Sequence, residues 1–249
     1  MPSMSLLAAG AIGAGVGIAI YIFKKRPKQP QNVKLTYFDI AAAPGEKVRL
    51  ALTLMKVPFT DNRIKFPDWA ALKPTTKYGS LPIMEVDGEM VYQSGAMLRY
   101  AGRLGDGSLL PVDDVAMCIK IDEMLGVGED LQRAWTPALY LGMGRHASFG
   151  YPAEWPAKAE VVKALREKFV QEELPKYMTY LTNELSATGA FLCGAKPTIA
   201  DCQLFPQVFY FTKGVADHVP KDCLAGYPVV VAWLDRMKAI PEVKAFMGC

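Results

Sequence analysis

Histidine is scarce in this 249-residue chain. Only His146 and His218 are present, so a metal centre built on several imidazoles is excluded at the outset. Cysteine is almost as sparse: Cys118, Cys193, Cys202, Cys223 and Cys249 are odd in number, widely spaced and without a C-x-x-C pair, which fits a reducing compartment better than a disulfide framework. A broad excess of positive charge is also missing. The formal net charge is +3, but Lys24, Lys25, Arg26 and Lys28 form one run within residues 1–31, a segment that holds no acid. The remainder carries 24 cations against 25 acids, which leaves no basic face for neutralising phosphates and excludes nucleic acid as a partner. Internal repeats and low-complexity tracts are absent. With 51% hydrophobic and 21% charged residues the chain is neither disordered nor fibrous, and its length suffices for two modest domains with their own cores.

What is present begins with an apolar terminus. The 19 residues from Ser5 to Phe23 carry no charge, close to the ~20 needed to span a hydrocarbon core, and predict a transmembrane helix. The cations follow this run instead of preceding it, which argues against a cleavable signal peptide. By the positive-inside rule, the body then faces the cytosol, from either the endoplasmic reticulum or the mitochondrial outer membrane. Gly13 and Gly17 form a G-x-x-x-G pair suited to close helix approach, and the Pro-containing stretch Arg26 to Asn32 reads as a linker.

Past the linker, short strands alternate with helices. Val33 to Asp39 (VKLTYFD) is rich in strand formers, and Glu46 to Met55 has a wide apolar face with Lys47 and Arg49 on its polar side. Pro58 to Lys65 reads as a second strand and Trp69 to Lys73 as a short helix. Pro82 to Val86 and Met90 to Gln93 form a hairpin around Asp87-Gly88, and Ser94 caps a helix reaching about Arg103. The order β-α-β-α-β-β-α is that of a thioredoxin-like domain. Gly105 to Asp114 links it to a region where strand signals vanish. Helical periodicity there covers Val115 to Met143, Ala157 to Ser186, Thr198 to Phe211 and Val229 to Met237. Thr198-Ile199-Ala200-Asp201 is a capping box. The organisation expected is an anchor and linker over 1–31, a thioredoxin-like domain over 32–109 and an all-helical domain over 110–249.

The strand KLTYFD, the segment GSLPIMEVDG followed by YQS, the helical region and the late PTIAD box together resemble a cytosolic-type glutathione transferase, most similar to the sigma class, over Val33 to Phe246. The resemblance implies a glutathione transferase fold and glutathione as co-substrate, with no metal. It also implies a small apolar electrophile as second substrate, a homodimer, and a function in detoxification that extends to peroxidase or isomerase activity. Tyr37 occupies the position of the tyrosine that donates a hydrogen bond to the glutathione thiolate. Leu81 matches the main-chain ligand of the cysteinyl part, before a cis bond to Pro82. Gln93 and Ser94 match the γ-glutamyl site, Trp69 and Lys73 the glycine end, and Gly79 and Ser80 the approach to Leu81. The loop after Tyr37 with Trp135, Tyr140, Met143 and Phe149 is the expected lining of the electrophile pocket, and the same four residues read equally well as core.

Two departures stand out. Ala41-Ala42-Ala43-Pro44-Gly45 replaces the loop in which sigma-class prostaglandin isomerases carry an arginine, and holds one residue more before Glu46, so a cation beside Tyr37 is missing from the loop. Gly126 stands where an acid is expected one turn after Asp122, with Glu129 or Asp130 as substitutes. The intact Tyr37, Leu81-Pro82 and Gln93-Ser94 set favours the enzyme, and the altered loop is the evidence for the alternative, a non-catalytic binding or scaffold protein on the same fold.

Overall fold

The computed structural model describes residues 29–40, 43–152 and 154–247. The transmembrane helix expected over Ser5 to Phe23 and the cations after it lie outside the described residues. Among the described residues, no helix is long and apolar enough to cross a membrane.

Strand β1 (Val33–Phe38) sits inside a four-stranded sheet of order β2-β1-β3-β4. Helix α1 (Ala43–Leu54) crosses from β1 to β2 (Thr60–Ile64), which runs parallel to β1 as a β-α-β crossover requires. Two 3-10 turns, Phe66–Asp68 and Lys73–Thr75, flank α2 (Trp69–Leu72), so the single short helix expected over Trp69 to Lys73 is instead one α turn running into a 3-10 turn at Pro74. β3 (Ile83–Val86) and β4 (Glu89–Tyr92) form the expected hairpin. Asp87 and Gly88 both have positive φ, 49° and 91°, the geometry that matches the twist of a two-residue hairpin. Helix α3 (Ser94–Ala101) differs from expectation at its start: the N-cap is Gln93, at φ 68°, and Ser94 is the first helical residue.

The second half is helical: α4 (Val115–Gly142), α5 (Lys158–Lys168), α6 (Leu174–Thr188), α7 (Ile199–Phe211), α8 (Pro228–Ala239) and α9 (Pro241–Met247). The stretch expected as one helix over Ala157 to Ser186 is divided by a π turn at Phe169–Glu173. Pro175 lies just beyond and has no N–H to return to the preceding turn, so the hydrogen-bond ladder slips there. α9 was not expected; its seven residues are too short to show a period.

α7 is the hub. Most of its residues are buried, and it packs against both α1 and α4, so a largely apolar helix lies where the two halves of the molecule meet. Its start is fixed by the expected capping box: the Ala200 N–H donates to Thr198 Oγ1 at 3.3 Å, and the Thr198 N–H to Asp201 Oδ2 at 2.8 Å. Asp201 does more than cap. Its Oδ1 also accepts from the Leu192 N–H at 3.1 Å and the Trp233 Nε1–H at 2.9 Å.

Candidate active site

The strand register assembles the site. β1 pairs with β3 as far as Thr36 opposite Ile83, and β3 with β4 as far as Ile83 opposite Tyr92. One residue further along each strand, Tyr37, Pro82 and Gln93 fall in one row across the end of the sheet. Tyr37 lies opposite Arg63 of β2 on its other side. The Leu81–Pro82 peptide, immediately before β3, is cis. α3 starts at the same end, and the first N–H groups of a helix have no partner within it, which makes this a place that favours an anion. The Gln93 side chain is exposed and makes no capping bond, so its amide is left to other uses. Its positive φ is a conformation that non-glycine residues adopt at local cost.

The remaining expected residues border this row. The Trp69 ring meets Phe38, the last residue of β1, edge to face at 5.9 Å. Gly79 has φ 57°, and a β-carbon there would sit 3.6 Å from Lys73 Cε, so the lysine stem lies along the loop that leads through Ser80 to Leu81. Lys73 and Ser80 are exposed, and Leu81 is half-buried.

Tyr37 itself is 5% exposed. α1 presses on it so closely that a β-carbon at Gly45 would overlap the phenol ring, which makes glycine necessary there. Burial pushes the Tyr37 hydroxyl well above its ordinary value, and the nearby Tyr140 and Glu46 push the same way, while Arg49 opposes them. Tyr37 is therefore a neutral hydroxyl, a hydrogen-bond donor and not a phenolate, across the working pH range.

Arg49 corrects the expectation of an outward-facing cation on α1. It is fully buried, with its guanidinium 5.6 Å from the centre of the Tyr37 ring. It donates to Asp61 Oδ1 at 2.9 Å, to Glu46 Oε2 and the Ile40 carbonyl at 3.1 Å each, and to the Phe38 carbonyl at 3.3 Å. A positive charge thus reaches Tyr37 from the helix and not from the loop. Lys47 is buried as well, and donates to Gln203 Oε1 at 3.0 Å, while Gln203 Nε2–H donates to the Leu125 carbonyl at 2.8 Å. This chain of bonds joins α1, α7 and α4. The one sequence signal for Arg49 was its i, i+3 spacing from Glu46.

The expected electrophile pocket is only partly assembled. Trp135 is a core residue, packed between Phe169 and Phe211 at 4.9 and 5.3 Å, because its ring is on the face of α4 turned into the helical half. Tyr140, one turn and a half further along α4, is the one of these residues that acts on the Tyr37 hydroxyl, pushing it up. Met143 and Phe149 follow it and are exposed. Asp122 is engaged by Arg99 at 2.7 Å, and Asp130 by Arg133 at 2.9 Å.

Known proteins resemble this chain in sequence and fold. A family model described as "Glutathione S-transferase, N-terminal domain" matches residues 33–103, and one described as "Glutathione S-transferase, C-terminal domain" matches residues 150–248. A glutathione S-transferase of Anopheles gambiae is 32% identical over 221 residues, covering 87% of this chain and 96% of its own. Glutathione S-transferase 1 of Ascaris suum is 29% identical over 217 residues, covering 86% of this chain and 95% of its own. Among solved structures, prostaglandin synthase D of Nilaparvata lugens superposes with a TM-score of 0.72 at 27% identity, over 87% of this chain and 97% of that one. A thioredoxin-like domain followed by a helical one is the glutathione transferase fold. The chain belongs to the glutathione S-transferase family, and its co-substrate is glutathione.

Proposed function

We propose that this glutathione S-transferase joins the glutathione sulfur to small apolar electrophiles, with the Tyr37 hydroxyl as the donor that holds the sulfur as its anion. A free thiol has a pKa near ~8.5 and is mostly protonated at neutral pH. A neutral phenol beside it donates to the thiolate and not to the thiol, which lowers that value and raises the nucleophile concentration. The thiolate then attacks the electrophilic carbon, a C–S bond forms, and the leaving group departs with the bonding pair. The observation that carries this reading is the buried Tyr37 in one row with the cis Leu81–Pro82 peptide and Gln93.

In this reading Leu81 pairs its backbone with the cysteinyl unit as an added strand would. Gln93, Ser94 and the α3 N-terminus take the γ-glutamyl carboxylate, and Trp69 and Lys73 take the glycine end, with Gly79, Ser80 and Pro82 shaping the loop. The electrophile lies against Tyr140 and the exposed Met143 and Phe149, an apolar and polarisable surface. The Nilaparvata lugens relative is a prostaglandin synthase, but the loop after Tyr37 lacks the expected arginine, and general conjugation is favoured over prostaglandin isomerisation. Ser5 to Phe23 anchors the body at a membrane, facing the cytosol. The enzyme works as a homodimer, and exposed Tyr78, Val115 and Ile119 are suited to burial against a second copy.

The test is calorimetric glutathione binding together with turnover of 1-chloro-2,4-dinitrobenzene by the full chain in detergent. Binding with turnover supports the reading. Binding without turnover, repeated with a hydroperoxide, returns the protein to a scaffold function, and absence of binding overturns the site.

A further inference from the structure

The turn that ends α4 holds a cation for which the reaction above has no use. The Arg145 guanidinium lies over the Tyr140 ring, 4.4 Å from its centre, and the Arg145 N–H donates to the Tyr140 carbonyl at 2.9 Å, so one turn of chain locks the two side chains together. No carboxylate among the described residues lies within ion-pair distance of Arg145. Lys158 is nearby: its Nζ is 3.6 Å from where a Gly144 β-carbon would be, and it too lacks an ion-pair partner among the described residues. Exposed apolar residues lie close to Arg145 along the chain. Met143 is 52% exposed and Phe149 40%, and Tyr151 stacks on Trp155 at 3.9 Å. Tyr140, beneath the guanidinium, is the α4 residue that adds to the upward push on the Tyr37 hydroxyl.

An unpaired guanidinium laid on an aromatic face keeps its edge N–H groups free and already oriented, the geometry that binds a carboxylate through two parallel hydrogen bonds. We infer that Arg145 selects the second substrate: the preferred electrophiles are apolar molecules that carry a carboxylate, the apolar body lying on Tyr140, Met143 and Phe149 and the carboxylate on Arg145. This rests on the proposed Tyr37 chemistry and adds the chemical class of its substrate. The bound carboxylate takes no part in bond making; it fixes which end of the electrophile points at the sulfur.

The test uses 4-chloro-3-nitrobenzoate and its methyl ester, two electrophiles with the same reacting carbon. In both, the glutathione sulfur bonds to the ring carbon and chloride leaves with the electron pair. Steady-state kcat/KM for the acid and the ester is measured on the full chain as wild type, Arg145→Gln and Arg145→Lys. The acid-to-ester ratio is expected to fall about fivefold in Arg145→Gln, the size of a partly exposed charged hydrogen bond, and to recover in part in Arg145→Lys. It is also expected to shrink in the wild type at high salt. The ester serves as the control for folding, since misfolding lowers both rates together. A ratio within twofold of the wild type in Arg145→Gln, with both substrates still consumed, overturns this inference and leaves the Tyr37 reading intact. A wild type that consumes neither substrate overturns both.

Discussion

Arg49 and Tyr37 stand in a fixed relation: a fully buried guanidinium lies 5.6 Å from the centre of a buried phenol ring, and the same guanidinium ties together the end of β1, helix α1 and strand β2. The cation that sets the charge around the tyrosine is thus also the clamp that sets its position. It opposes the effect of burial on the hydroxyl without coming close to ionising it.

Removing that clamp leaves Glu46 and Asp61 without their shared partner in a half-buried place. Arg49→Met is expected to lower the unfolding free energy by about 3–5 kcal/mol, as is typical when one member of a buried pair is lost. Chemical denaturation followed by tryptophan fluorescence measures this. A loss below about 1 kcal/mol would show that the clamp is not structural.

Lys47 makes stability depend on alkaline pH. Burial pulls its ammonium down to about 8 from 10.5. Between pH 8 and 10 the unfolded chain keeps a proton that the folded chain has released, so stability from this group rises with pH across that window. Lys47→Met removes the effect. The wild-type unfolding free energy is expected to gain roughly 1–3 kcal/mol on that of Lys47→Met between pH 7.5 and 10. A constant difference across this range would contradict the buried, desolvated state of the amine.

Asp201 joins four groups through two carboxylate oxygens: the N–H and hydroxyl of Thr198, the Leu192 N–H and the Trp233 indole. Asparagine in its place turns one acceptor into a donor that faces other donors. Asp201→Asn is expected to cost about 2–4 kcal/mol, the penalty for breaking a buried network. Calorimetric melting gives the value, and an unchanged melting temperature would count against the network.

Much of this was legible in the sequence because it is local. Asp87-Gly88 announced the hairpin, Thr198 and Asp201 announced the start of α7, and the β-α-β-α-β-β-α order follows from short-range periodicity. The burial of Arg49 and Lys47 was not legible, since it depends on Asp61 and Gln203, which other elements bring to them. Trp135 stays open in the sequence for the same reason: an aromatic on α4 suits a cleft or a core equally, and only the approach of Phe169 and Phe211 decides. The alignment of Tyr37, Pro82 and Gln93 needed the strand register, which no single motif carries. The π turn before Pro175 is a compromise between the periodicity of a long helix and one missing N–H, and apolar spacing does not report it.

The measurement that bears most directly on the central claim is the pH dependence of kcat/KM for 1-chloro-2,4-dinitrobenzene in the wild type and Tyr37→Phe, with glutathione affinity measured in parallel. Loss of one hydrogen bond to an anion is worth about 1.5–3 kcal/mol. In Tyr37→Phe the acid limb of the profile is therefore expected to move up by roughly 1–2 pH units. At pH 6.5 the rate should fall about 10- to 100-fold, while glutathione binds within about threefold of the wild type. An acid limb and a rate that stay where the wild type has them, with glutathione still bound, would show that another group holds the thiolate and that Tyr37 is only a packed ring.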